Sequence, residues 1–215
     1  MHEKMLSLAD WRNQIRVPNN HSPLREDRPN AEEIQLMQIR RIVTATDPHG
    51  QAFVQSDALF EQAYQSYPGF ANTVLWLTDQ TPQVGVDQGA DPVPSLTRFL
   101  PPAGGTRLLT LTVPADASML SPGFDPTAFG AETARRAPGF IETFEPDAPG
   151  MHTTDTVDYG VLLDGEIWLE LDGQQEVKLR PFDVVIQNGT RHAWRNKSSR
   201  AATLLFVLVG AARVA

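Results

Sequence analysis

The sequence predicts an all-β fold, a sandwich or a barrel. Three observations carry this. Short alternating or apolar runs recur about every eight to twelve residues. Turn signals separate them, Asp-Gly pairs among them, with 17 Pro and 15 Gly scattered evenly through 215 residues. No segment reads as a long helix.

The first element is an arm, residues 1–33. Its LSLADWRNQI has the make-up of a short helix, and VPNNHSPLREDRPN is extended because its prolines break regular structure. No chemistry is expected there, and His2 and His21 read as exposed and inert. A single domain is expected over 34–215. It opens with a strand in EIQLMQIRRIVTATD, a turn at Asp47-Pro-His-Gly50 and a return strand in QAFVQSD. His49 is a surface turn residue, and Arg40 and Arg41 are expected to pair with acidic groups. NTVLWLTD is a strand with Trp76 inside it. The proline- and glycine-rich connection that follows has the length of a loop covering a site or an interface. Its Asp79, Asp87 and Asp91 lack calcium-loop spacing and read as solvated turn formers. TRLLTLTVP alternates, with Leu108, Thr110 and Thr112 on one face and Arg107, Leu109, Leu111 and Val113 on the other. DPTAFGAETARRAPG reads as a short surface helix, capped near Asp125 and stopped by Pro138-Gly139.

Residues 151–215 are the most regular. VDYGVLL turns at Asp164-Gly165 into EIWLELDG, which turns again at Asp172-Gly173, where positive φ is needed. QQEVKLRP, FDVVIQNG, RHAWRN and the apolar ATLLFVLVGA complete the set. Within this region His152, Thr154, Thr156 and Asp158 share one parity, so a strand would project all four from one face. A second polar strand with His192 would lie alongside. Two histidines and a carboxylate facing each other inside a barrel can hold a divalent metal. The same residues also fit a metal-free, hydrogen-bonded polar cluster. Thr154, Thr156, Trp194 and Trp76 are candidate pocket-lining residues, with the core as the other home for Trp76. Tyr159, of opposite parity, belongs on the outer side or at a subunit interface. Asn196 reads as a turn former.

Composition narrows the function. A formal charge of −8 and a pI near 5.1 argue against nucleic acid and anionic membranes as partners. The absence of cysteine excludes disulfides, thiolate ligands and a cysteine nucleophile. MHEKMLSLADWRNQ has no apolar signal region, and AATLLFVLVGAA is too short to span a bilayer. A cytoplasmic protein is expected.

These residues resemble the cupin superfamily. Its first motif, G(X)5HXH(X)3–4E(X)6G, is matched by His152, by Asp158 in place of Glu, and by Gly165; Thr154 stands where the second His belongs. Its second, G(X)5PXG(X)2H(X)3N, is matched by Gly189, His192 and Asn196, while Phe182-Asp183 replaces Gly-Asp and Gln187 replaces Pro. The likeness covers residues 148–210. It implies a double-stranded β-helix, or jelly-roll barrel, with an N-terminal arm and additional strands. It implies one divalent metal on His152, Asp158 and His192, Fe first, with Zn, Mn or Ni as alternatives. The expected function is a metal-dependent enzyme acting on a small organic molecule, aromatic or diketone-like, as a dioxygenase or as an isomerase, cyclase or lyase. The alternative is a metal-poor binding or assembly module without turnover. The expected assembly is a homodimer.

Overall fold

The computed structural model describes residues 38–60, 63–84 and 89–214. The predicted arm, 1–33, lies outside them, as does Asp87. Among the described residues there are ten strands: β1 (Ile39–Thr46), β2 (Ala52–Phe60), β3 (Ala71–Thr78), β4 (Thr106–Val113), β5 (Thr156–Asp164), β6 (Ile167–Glu170), β7 (Glu176–Leu179), β8 (Val184–Asn188), β9 (Ala193–Arg195) and β10 (Ala202–Gly210). One helix, α1 (Pro126–Arg136), lies between β4 and β5.

All strand pairs are antiparallel. The larger sheet has the order β3-β4-β10-β5-β8 and the smaller the order β7-β6-β9; β1 and β2 form a separate hairpin. β10 lies between β4 and β5, which explains its near-continuous apolar run. Leu204 and Phe206 of β10, Leu162 of β5 and Leu109 of β4 meet Ile167 and Leu169 of β6 and Leu179 of β7 in one core. Two antiparallel sheets closing on one core give the jelly-roll architecture. Gly160 is required by this packing, because a Cβ there would lie 2.6 Å from the Phe206 ring. Gly165 turns β5 into β6 with φ +84°.

The helix is anchored as its sequence suggests. Asp125 accepts from the Thr127 and Ala128 amides at 2.8 and 3.2 Å. It is not only a surface element, since Glu132 and Thr133 are buried.

Three local expectations are corrected or sharpened. Asp79 and Asp91 are ion-pair partners and not free turn formers. Asp79 accepts from Arg107 at 2.7 Å, and Asp91 pairs with Arg41. Arg107, fully buried on the core side of β4, also donates to the carbonyls of Arg98, Phe99, Thr78 and Thr106. A buried guanidinium thus has its donors met by the loop that it closes. Arg40 pairs with Asp57 at 2.5 Å. Trp76 packs on the side of the β1–β2 hairpin. A register shift falls between Val74 and Trp76, so Trp76 pairs with Leu108 rather than with a core-facing position of β4. Its ring lies under the Arg41 guanidinium.

Candidate metal centre

The site starts from one rung. His152 and His192 form an isolated antiparallel bridge and exchange both main-chain hydrogen bonds, at 2.9 and 3.0 Å. Residues opposed in this way project to the same face. Their rings lie 4.3 Å apart, at 7% and 4% exposure. The regular strand begins only at Thr156, so His152 is placed by this single rung and by a second bridge to Phe144.

Each imidazole is oriented the same way. Nδ1 of His152 lies 3.0 Å from the Gly150 carbonyl oxygen, and Nδ1 of His192 lies 2.9 Å from that of Thr190. A carbonyl oxygen only accepts, so Nδ1 carries the proton and Nε2 keeps its lone pair. This is the tautomer of a metal-ligating histidine with its second nitrogen held by a backbone group. Burial, then the neighbouring His192, pushes His152 down to about 4. Burial also lowers His192, against the Thr190 carbonyl. Both rings are therefore held neutral near pH 7, the form that ligates.

Aromatic rings close the back of the pair. Phe144 stacks on His152 at 4.6 Å and Phe140 meets it edge-on. Trp194 meets His192 edge-on at 6.0 Å. A fork–fork pair fixes the two segments to each other: Arg191 Nε and Nη2 donate to the two oxygens of Glu145, both at 2.6 Å.

Asp158 comes from β5 on the inward parity of Leu162, which is fully buried. Burial pushes its carboxyl up to about 6, against the Thr156 hydroxyl, which pulls it down. Its Oδ1 is buried and has no hydrogen-bond partner among the described residues. Thr154 and Thr156 are buried beside it, bonded to each other through their hydroxyls at 2.8 Å. Among the described residues no three His, Asp or Glu side chains are gathered into one ligand cluster. The structure thus brings His152 and His192 together on one rung and buries Asp158 on β5. The donors still suit a divalent cation in kind: two neutral imidazole nitrogens and a carboxylate with a free buried oxygen.

A separate cavity of about 250 Å³ is lined by Asn72, Val74, Val93, Leu96 and Arg136. None of the predicted site residues lines it. Asn196, fully buried, is a structural lock: its Nδ2 donates to the Val113 and Arg200 carbonyls, both at 2.8 Å.

Sequence reasoning did not place Phe144, Glu145, Arg191 or Gln187 at the site. Gln187 is 3% exposed and is the register partner of Asp158. Its parity with Val185, which packs on the core, was the signal available.

No protein-family model matches the chain. Phomopsin biosynthesis cluster protein C' of Diaporthe leptostromiformis is 48% identical over 62 residues, 28% of this chain and 33% of that protein. Oryzines biosynthesis cluster protein J of Aspergillus oryzae is 41% identical over 64 residues, 29% of this chain and 36% of that protein. A cupin-domain-containing oxidoreductase of Aspergillus ruber is 35% identical over 69 residues, 29% of this chain and 34% of that protein. The matches thus span about a third of the length of these relatives. Among solved structures, the DMSP lyase DddQ of Ruegeria pomeroyi aligns over 68% of this chain and 49% of its own, at 16% identity and TM-score 0.35. A likeness that low carries nothing about function. No helix among the described residues is long and apolar enough to cross a membrane. Its two packed antiparallel sheets and its half-motifs at His152–Asp158 and Gly189–Asn196 agree with a cupin-type jelly roll, and part of the chain is similar to a cupin-domain protein.

Proposed function

We propose that this chain is a metal-dependent cupin enzyme acting on a small organic molecule, with one divalent ion held by Nε2 of His152, Nε2 of His192 and the Asp158 carboxylate. The observation that carries this reading is the shared tautomer. Two buried imidazoles on one rung both present an Nε2 lone pair because both Nδ1 atoms face carbonyl oxygens. When bound, the ion supplies Lewis-acid or one-electron chemistry to a carbonyl- or enol-bearing substrate. Iron fits an oxygenase, and zinc, manganese or nickel fit an isomerase, cyclase or lyase. The similar proteins, two from biosynthesis clusters and one an oxidoreductase, support small-molecule chemistry of the oxidative kind.

The chain's own residues have definable tasks in this reading. Gly150 and Thr190 hold the imidazoles by their carbonyls, and Phe140, Phe144 and Trp194 keep water from the back of the pair. Asp158 would supply the one anionic oxygen to the cation. Thr154 and Thr156 offer hydroxyls at the wall of the site.

A second reading is a binding or assembly module without turnover. It is favoured by there being, among the described residues, no cluster of three His, Asp or Glu side chains. Elemental analysis of protein purified without a His tag or chelator separates the two, with His192→Ala as control. Near-stoichiometric metal that the variant loses supports the enzyme. Metal-free wild type, even after reconstitution, overturns it and leaves the module. The homodimer belongs to both readings and rests on the exposed apolar outer face of β5 and β8. The acidic balance and the small-molecule chemistry leave no role for nucleic acid or membrane, in a cytoplasmic setting.

A further inference from the structure

Two buried polar atoms on one register pair lack partners. Asp158 and Gln187 are Cα partners across β5 and β8, so both side chains leave the same face of the sheet, with Cβ atoms about 5 Å apart. Both are buried, and neither Asp158 Oδ1 nor Gln187 Nε2 has a hydrogen-bond partner among the described residues. A buried unsatisfied group costs about 1–3 kcal/mol. Two of them on one register pair mark a place built for something that satisfies both.

The other end of the Gln187 amide shows how it adapts. Its Oε1 accepts from the Thr190 hydroxyl at 2.5 Å. A hydroxyl donates or accepts equally well, and the two ends of an amide exchange by a half-turn. With Nε2 donating to Thr190 Oγ1, Oε1 takes the buried, unpaired position that Nε2 now holds. Thr190 is also the residue whose carbonyl orients His192. One short turn therefore sets both side chains.

We propose that Gln187 is a ligand of the divalent cation, presenting its amide oxygen beside Asp158 while Nε2 donates to Thr190. The inference rests on the metal reading above. It completes a set of two imidazole nitrogens, one carboxylate oxygen and one neutral oxygen. That set carries a single negative charge and suits Fe(II), Mn(II), Co(II) or Zn(II) better than the soft Cu(I).

The test uses the full chain, tag-free and stripped of metal, titrated with Co(II) and followed by its visible bands and by calorimetry. Wild type, Gln187→Leu, Gln187→Glu and His192→Ala are compared, with circular dichroism as the folding check. Gln187→Leu is expected to weaken Co(II) binding roughly 10–100-fold and to shift the bands. Gln187→Glu, which keeps an oxygen at the same reach, is expected to restore the affinity and to change the bands. If Gln187→Leu binds as wild type does while His192→Ala does not, the ligand role of Gln187 is wrong and the histidine site stands. If Gln187→Leu fails to fold, bands in Gln187→Glu identical to wild type overturn the role. Wild type that takes up no Co(II) overturns the metal reading itself.

Discussion

Glu132 accepts both the amide and the hydroxyl of Ser66, at 2.8 and 2.6 Å, and so joins α1 to the segment before β3. Burial alone would raise this carboxyl. The Ser66 hydroxyl and amide, the Gln65 amide and the Arg136 charge outweigh burial and lower it to about 2. Its folded pKa lies below the ordinary 4.5, so it stabilises the fold fully above that value and loses its effect as the pH falls from about 4.5 to about 2. Glu132→Gln should therefore lower stability at pH 7 by roughly 2 kcal/mol and flatten the loss between those limits. Urea melts at a series of pH values check this. An unchanged slope would show that the carboxylate is not the source.

Asn196→Ala removes four side-chain hydrogen bonds, two of them to the buried carbonyls of Val113 and Arg200 and two from Ser198. The loss expected is about 1–3 kcal/mol, with the buried Val113 carbonyl losing its side-chain donor while the Arg200 carbonyl keeps the Ser198 hydroxyl. Thermal melts measure it. A change under about 0.5 kcal/mol, the level of a surface substitution, would show that water replaces the side chain at no cost.

Phe182 occupies the left-handed region, φ +75°, with its ring 81% exposed. A phenylalanine there carries backbone strain of about 1–2 kcal/mol. Phe182→Gly should stabilise the isolated chain by up to about 1 kcal/mol once the entropy of glycine is counted. Chemical denaturation reads the sign, and a destabilised variant would show that the ring is held by contacts in solution.

The outer face of the larger sheet makes that last point concrete. Tyr159 pairs with Ile186 and Val161 with Val184, and Tyr159, Val184 and Ile186 are all exposed. Aromatic and branched apolar side chains on one flat face suit a second copy of the chain. Ile186→Lys should convert a dimer to a monomer in light scattering and leave metal content unchanged. Wild type that is monomeric at micromolar concentration removes the dimer.

The fold was legible because strand alternation holds along β4, β5 and β10, and because Asp-Gly turns separate the later strands. Asp158 was placed inward by the same period that buries Leu162. The side that Trp76 takes was not legible, because a one-residue irregularity in β3 reverses parity and nothing in VLWLTD marks it. The His152 segment alternates like a strand, yet the strand starts four residues later, at Thr156. Phe144 and Glu145 belong to an irregular stretch whose approach to the 189–193 turn depends on a bridge and an ion pair distant in sequence. Gln187 was hidden inside an apolar strand, where an amide beside a turn looks like surface.

The single rung between His152 and His192 has a kinetic consequence. Both amides are hydrogen-bonded, but no continuous ladder supports them on either side. Their hydrogen exchange should therefore occur in one shared opening event, faster than that of Leu204 or Phe206 in the centre of β10. That event also separates the two imidazoles. The dwell time of a captured ion is then bounded by how often one pair of amide bonds breaks, and binding an ion should slow both amides together.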